Sequence, residues 1–419
     1  MRMRISSALF AVALLGAALP ALASLPDFDF SLPEILPLMD KVLPQTIPGR
    51  YVVLLKEGVN PQDVVAQQHV RSSRLYAQLR GFSGALSEEQ RTTLLNDPRV
   101  LMVEPDIEMY AFAVKRSSQV LPTGVNRAEA DRSATAAING VDERVNADIA
   151  IIDTGVQRTH PDLQVVNQVN FSTDFSTDDQ NGHGTHVAGT AAAKDNTVGV
   201  VGMAPGARIW SVKVLNRQGS GYLSDIIAGI DYVTAHASEI EVANMSLGCE
   251  CQSEAMDEAI SRSVAAGVVY VVAAGNSGKD AATFSPANHP DVLAVSAIAD
   301  FNGLPGGGAR ATCRSDVDDT FADFSNYGAV VDIAAPGVCI NSTWKMSRYD
   351  TISGTSMASP HVAGAVALYL STHQKPTDAA GVASVRASII AAGTPQSDSN
   401  GFTGDRDAFA EPLLNVESF

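Results

Sequence analysis

Four short segments hold side chains that could cooperate in acyl transfer. They are Asp153-Thr154-Gly155, His183-Gly184-Thr185-His186, Ala274-Gly275-Asn276 and Gly354-Thr355-Ser356-Met357-Ala358. A serine hydroxyl is a weak nucleophile until a neighbouring base takes its proton. An imidazole serves as that base when a carboxylate fixes its tautomer and stabilises its charged form. A side-chain amide can then donate to the developing oxyanion. Asp153, His183, Ser356 and Asn276 supply the carboxylate, the base, the nucleophile and the amide. Singly, each has a plainer reading. Asp-Thr-Gly is a common turn or cap, Asn276-Ser277-Gly278 is ordinary turn sequence, and a serine before an apolar run suits a helix N-cap. An aspartic protease would need a second Asp-Thr-Gly to share its proton, and there is none. His183 and His186 could hold zinc, but no His-Glu-x-x-His is present. His186 reads better as a packed, hydrogen-bonded histidine.

Elements of a particular kind must position these groups. From about Gln119 onward, apolar runs alternate with helical patterns. Strands are expected at Ile149–Ile152, ending in Asp153, and at Ala207–Leu215, Val242–Leu247, Val268–Ala274 and Val292–Ala297. Helices are expected at Leu223–Ala237 and Ser253–Ala266. Continuous apolar strands suit a parallel sheet covered on both faces. The fold class is therefore α/β, a doubly wound, mainly parallel sheet. Such sheets place sites beyond the carboxyl ends of their strands, where Asp153, Ser246-Leu247-Gly248 and Gly275-Asn276 fall. Ser356 precedes the apolar run Val362–Leu370, so it should open a helix. No strand precedes it convincingly.

The 419-residue chain is 45% hydrophobic and carries a formal charge of −17, which argues for a folded product and against nucleic acid as a partner. Residues 1–23 read as a signal peptide: Arg2 and Arg4, an apolar run from Ile5 to Leu19, then Ala21-Leu22-Ala23. That run is too short for a membrane span, so no membrane anchor is expected in the mature form. A Pro- and Leu-rich linker, 24–46, follows. Next comes a small α+β module: a strand Tyr51–Leu55, a helix Pro61–Leu79, a strand Gly81–Leu86, a helix from Ser87, and a strand Arg99–Glu104 ending before Pro105. Cys249, Cys251, Cys313 and Cys339 allow three pairings, which sequence does not decide. Cys313 with Cys339 is preferred, leaving Cys249 and Cys251 to pair across one residue or stay free. Asp316, Asp318 and Asp319 could hold a cation, although a solvated acidic loop is the simpler reading.

Together the motifs carry a resemblance. Asp-Thr-Gly, His-Gly-Thr-His-Val-Ala-Gly-Thr, Ala-Ala-Gly-Asn and Gly-Thr-Ser-Met-Ala-Ser-Pro, in that order, resemble the subtilisin family of serine endopeptidases from about Tyr51 to the end. The resemblance implies that Asp153 orients His183, that His183 is base then acid, and that Ser356 attacks. Asn276 and the Ser356 N–H would hold the oxyanion. It implies that residues 47–112 are an inhibitor-type propeptide and 113–419 the catalytic domain, with cleavage between Ile107 and Ser118. Gly219, Ser220 and Gly221 with Ser246, Leu247 and Gly248 would flank an extended peptide. Ala273, Ala274 and Gly275 would line a pocket roomy enough for large apolar side chains. A structural Ca²⁺ is implied, held by side-chain oxygens of Gln119, Asp162 and Asn196 and by carbonyls of Lys194, Val198 and Val200. The implied product is a secreted, extracellular monomer that acts on proteins and peptides and is inhibited by its own propeptide. An α/β-hydrolase esterase is the nearest rival, but that fold places its acid and histidine after the serine. A catalytically silent scaffold is the rival from another class.

Overall fold

The computed structural model describes residues 46–111, 114–116, 122–196 and 198–419. The signal segment, nearly all of the linker, and Gln119 lie outside the described residues.

The first module is one antiparallel sheet with two short helices. β1 (Thr46–Leu55) leads to a helix, Pro61–Gln67, whose N-cap Asn60 accepts from the Gln62 N–H. β2 (Arg71–Tyr76) and β3 (Gly81–Ala85) follow. The helix Glu88–Leu95 starts with a capping box between Ser87 and Gln90. β4 (Val100–Ala111) closes the module. The sheet order is β4-β1-β3-β2, antiparallel throughout. Val53, Leu55, Val64, Phe82 and Leu94 form its own small core.

Two expectations need correcting here. The helix expected to run to Leu79 stops at Gln67, and β2 takes its place. His69 adopts a left-handed conformation (φ 50°), which ends the helix, and Arg71–Tyr76 pairs with β3 instead. β4 also does not stop at Pro105. It passes through to Ala111, and the β1–β4 register shifts beside that proline, where no ladder donor is needed.

β5 (Val114–Arg116) and a short helix, Thr123–Arg127, lead into the large sheet. Its strands are β6 (Asp148–Asp153), β7 (Gln164–Asn170), β8 (Arg208–Lys213), β10 (Val242–Met245), β12 (Val269–Ala273), β13 (Leu293–Ala299), β14 (Thr320–Phe321) and β15 (Ile333–Pro336). β9 (Ser220–Tyr222) and β11 (Leu247–Gly248) belong instead to the sheet of β4. The large sheet runs β14-β13-β12-β10-β6-β8-β7, with β15 beside β13, and only the β13–β14 pair is antiparallel. β6, β12 and β13 are buried along their whole length. Helices Leu223–Ala235, Glu254–Ala265, Thr355–Leu370 and Ala379–Ala392 complete the α/β layers. β16 (Ile340–Trp344) and β17 (Arg348–Ser353) form a hairpin that leads directly into the Thr355 helix.

A strand therefore does precede Ser356, contrary to the reading from sequence. It is an antiparallel hairpin strand outside the parallel sheet, whereas an esterase nucleophile elbow rises from a strand of the main sheet. The His183–Ala192 helix, buried at every position, packs against the Thr355 helix. A side chain at Gly364 would collide with Ala191 and Met203, so small residues set that close approach.

Candidate active site

Asp153 is the last residue of β6, and His183 is the first of its helix. The His183 Nδ1 lies 2.8 Å and 2.9 Å from the two Asp153 carboxylate oxygens. Both residues are buried. The Asp153 Oδ1 also accepts from the Thr154 N–H at 2.6 Å, so the carboxylate is fixed by its own chain.

Ser356 is the second residue of its helix and is fully buried. Its Oγ donates to the Ser246 carbonyl at 3.2 Å, and the Ser246 Oγ donates back to the Ser356 carbonyl at 2.8 Å. Asn276 is turned by the neighbouring residue. The Thr355 N–H and Oγ–H donate to its Oδ1 at 2.9 Å and 2.8 Å. An N–H can only donate, so the amide oxygen must face Thr355 and the NH₂ must face away. The Thr355 Oγ itself accepts from the Gly275 N–H at 3.1 Å. Gly275 has φ +106°, and a Cβ there would strike the Asn326 side chain.

β6, β10 and β12 are adjacent and parallel, so Asp153, Ser246 and Asn276 leave the sheet at one edge. His183 is bonded to the first, Ser356 to the second and Thr355 to the third. The four expected groups thus gather at the carboxyl ends of three neighbouring strands. Two other buried histidines, His186 and His361, are occupied. The His186 Nε2 faces the carbonyls of Ile340 and Asp350 at 2.9 Å and 3.1 Å, and burial lowers its pKa to about 3. The His361 Nδ1 donates to the Met357 carbonyl at 2.8 Å, and burial lowers its pKa to about 4. Neither is poised as a base, and the zinc reading of His183 with His186 falls.

The two segments expected to flank a peptide hold a strand between them. β4 pairs antiparallel with β9 through Met109 opposite Gly221 and Tyr110 opposite Ser220. On its other side, Ala111 lies opposite Leu247 and Tyr110 opposite Gly248. Glu108–Ala111 is therefore a middle strand, held by main-chain pairing from both walls. Gly219 turns into β9 with φ +81°. Ala273 and Ala274 are buried, and the Ala274 carbonyl accepts from Asn326 at 2.8 Å.

The subtilase family profile matches residues 146–405. Subtilisin DY of Bacillus licheniformis is 39% identical over 305 residues, which cover 72% of this chain and 99% of that protein. Alkaline serine protease ver112 of Corniculantispora psalliotae is 37% identical over 367 residues, covering 86% and 89% respectively. Among solved structures, a cold-adapted subtilisin-like serine proteinase aligns with a TM-score of 0.53 and 31% identity, over 71% of this chain and 99% of that one.

This chain belongs to the subtilase family. It is accordingly a serine peptidase, a hydrolase, on a subtilisin-like fold.

Several residues of this subtilase site were not singled out from sequence. Thr355 was quoted only as part of a motif, yet it orients Asn276. Asp179 ties together the turn before His183. Lys213 is buried at the end of β8. Its ammonium donates to the carbonyls of Thr154 and Leu215 at 2.7 Å and 2.8 Å and pairs with Asp174 at 3.1 Å. A lysine in an apolar strand run gives little sign of such a role.

The expected calcium residues come together in part. The Asp162 carboxylate accepts from the Asn196 Nδ2, the Val200 N–H and the Tyr349 hydroxyl at 2.9 Å, 3.0 Å and 3.1 Å. It has no ion-pair partner among the described residues, and burial pushes its pKa up. A buried carboxylate of that kind, beside an amide and a carbonyl-bearing loop, fits a hard cation. The Lys194 ammonium donates to the Pro161 carbonyl at 2.8 Å, so only its carbonyl could serve. No group of three or more His, Cys, Asp or Glu side chains with metal-holding geometry occurs among the described residues.

The loop 302–319 departs from its simpler reading. Asp318 and Asp319 are buried rather than solvated. Asp318 accepts from the N–H groups of Phe301 and Ala309, Asp319 pairs with Arg127 at 2.8 Å, and Asp316 pairs with Arg314 at 2.8 Å. These carboxylates anchor the loop. Both cysteine pairs are formed, Cys313–Cys339 and Cys249–Cys251.

Proposed function

We propose that this subtilase is a secreted endopeptidase of broad specificity, made as a self-processing zymogen and working through an acyl-enzyme on Ser356. His183, oriented by Asp153, takes the Ser356 proton as the Oγ attacks the peptide carbonyl. The Asn276 NH₂ and the Ser356 N–H receive the charge that develops on the carbonyl oxygen. His183 then gives the proton to the leaving amine. Water, deprotonated by the same imidazole, attacks the acyl-enzyme and releases the second product. Removing one oxyanion donor costs about 10²–10³ in kcat, a figure measured in subtilisin itself, so Asn276→Ala should fall by that factor with KM little changed.

The observation that supports this most is Glu108–Ala111 seated as a strand between β9 and β11. It occupies the place an extended substrate would take, as the end of a propeptide should before cleavage. Recognition through main-chain groups is blind to side-chain identity, which favours broad specificity. The antiparallel setting of β17 disfavours an esterase. Asp162 and Asn196, with the carbonyls of Lys194, Val198 and Val200 and with Gln119, would hold Ca²⁺, which supplies positive charge to a buried carboxylate and stiffens the loop. Chelation should lower the melting temperature of the wild type and leave that of Asp162→Ala unmoved.

A fluorophosphonate probe should label the wild type and not Ser356→Ala, and casein should be digested faster than a short-chain ester. Absence of labelling in the wild type would favour a silent scaffold. Intact-mass measurement of the secreted product tests maturation. The wild type should begin between residues 108 and 118, and Ser356→Ala should retain residues 47–112.

A further inference from the structure

The turn between β7 and the His183 helix contains a second buried carboxylate, Asp179, only 5% exposed. Five donors converge on it. Oδ1 accepts from the Thr154 Oγ–H at 3.0 Å, the Asn181 N–H at 2.9 Å and the Gly182 N–H at 2.8 Å. Oδ2 accepts from the Thr185 N–H at 3.0 Å and the Thr185 Oγ–H at 2.6 Å. Both threonine hydroxyls already accept a main-chain N–H, from Gly184 at 2.9 Å and from Gln157 at 3.0 Å. Their protons must therefore point at Asp179. A carboxyl proton would face donors alone, so the geometry calls for the anion. Burial opposes this and pushes the Asp179 pKa up; the five donors counter it.

This carboxylate sits at the amino end of the helix that His183 begins. A helix N-terminus carries a partial positive charge, which disfavours a cation there. The proposed mechanism needs an imidazolium at that spot. Asp179 also joins the strand and the helix of the site, because Thr154 follows Asp153 at the end of β6 while Gly182, Gly184 and Thr185 frame His183 at the start of its helix. Other charged groups lie nearby. Lys213 of β8 reaches the Thr154 carbonyl but is paired with Asp174. Lys345 donates to the Gln180 carbonyl at the surface. Asp178 accepts from the Arg158 N–H and Gln168. His186 of the same helix and His361 of the Thr355 helix are kept neutral by burial.

We propose that Asp179 is a positioning residue for the reaction: as an anion it offsets the positive helix end beneath His183 and locks the Asp153–Thr154 turn to the first turn of that helix. This rests on the reading of Asp153, His183 and Ser356 as the reacting set. Asp179→Asn keeps the shape, removes the charge and puts an NH₂ among donors.

The test compares wild type, Asp179→Asn and Ser356→Ala, with active sites counted by fluorophosphonate. Per labelled site, Asp179→Asn should lose about tenfold in kcat with KM within about twofold. The acid limb of its pH–rate profile should move about half a pH unit lower, because the imidazolium has lost a stabilising charge. A variant with fewer labelled sites but unchanged kcat per site and an unmoved acid limb would show a merely structural role and overturn the proposal. If the wild type itself takes no label, the reading of the reacting set fails instead. If Asp179→Asn yields no folded protein, Thr154→Val and Thr185→Val each delete one donor and keep the charge. Each should lower kcat several-fold with the acid limb in place, and wild-type kcat in both would overturn the proposal.

Discussion

The sheet that carries Asp153 and the sheet of residues 46–111 bury their faces differently. β6, β12 and β13 have apolar neighbours on both sides. The smaller sheet packs one face into its own core and turns Val52, Leu54, Tyr76, Leu79 and Ile107 toward the larger region. Charge rims that apolar patch. Glu104 accepts from the Ala255 N–H and Asp106 from the Ser224 N–H, so each caps a helix of the larger region, at 2.7 Å and 2.9 Å. Arg74 pairs with Asp225 at 3.1 Å, and Asp231 accepts from the N–H groups of Gln78 and Leu79. An apolar centre with a polar rim is the build of an interface between two proteins. On the proposed zymogen reading, one region is laid out as a permanent core and the other as a partner able to leave.

The largest expected effect on this contrast comes from Ser356→Ala. Peptide hydrolysis should fall about 10⁶-fold, the loss found on removing the nucleophile of subtilisin, and residues 47–112 should stay covalently attached. Release of the module at the wild-type rate would break the comparison.

Next come the two cores. Ile151→Ala, in β6, should destabilise the folded enzyme by about 2–5 kcal/mol, seen as a lower urea midpoint of the mature protein. Phe82→Ala should cost the module a similar ~3–5 kcal/mol and reduce the yield of active enzyme, while the enzyme that does mature melts like wild type. A lowered melting point of mature Phe82→Ala enzyme would mean the module never leaves.

pH sharpens the contrast further. Burial pushes Asp225 up to about 7 and Glu104 up to about 6 in the docked arrangement. A carboxyl with a higher pKa when docked than when free takes up a proton on docking. That contribution is absent above pH 7 and grows as pH falls toward the ordinary carboxylate range. In Ser356→Ala, protection of the β4 amides, corrected for intrinsic exchange, should therefore rise from pH 8 to pH 5. A fall would sink this prediction.

The smallest effects separate two staples within the larger region. Cys313 and Cys339 are 26 residues apart and Cys249 and Cys251 only 2. Loop closure gives about 3.5 kcal/mol for the first and about 1.5 kcal/mol for the second. Cys313→Ser/Cys339→Ser should thus lower the urea-derived stability about twice as much as Cys249→Ser/Cys251→Ser.

What could be read from residues alone was what repeats a local rule. Ile149–Ile152, Val268–Ala274 and Leu223–Ala237 were legible because continuous apolar runs and helical spacing declare themselves, and the structure moves their ends by a residue or two. Asp153, His183, Asn276 and Ser356 were legible because each sits in a short motif. β2 was hidden, because only its pairing with β3 and the left-handed turn at His69 make Arg71–Tyr76 extended. The run of β4 beyond Pro105 was hidden for the same reason: β9 and β11, more than a hundred residues away, define it. Asp179 and Lys213 escaped because an acidic turn residue and a lysine in a strand look ordinary until the chain folds around them. Asp318 and Asp319 were misread as solvated because their donors come from Phe301, Ala309 and Arg127.

If substrates bind as proposed, through main-chain pairing between β9 and β11, that gap asks little of its occupant beyond being extended. A frayed surface loop of a neighbouring molecule meets that condition as well as a foreign protein does. The working lifetime of such an enzyme in a concentrated solution is then set by how seldom its own loops come undone, and rigidity becomes a form of self-protection.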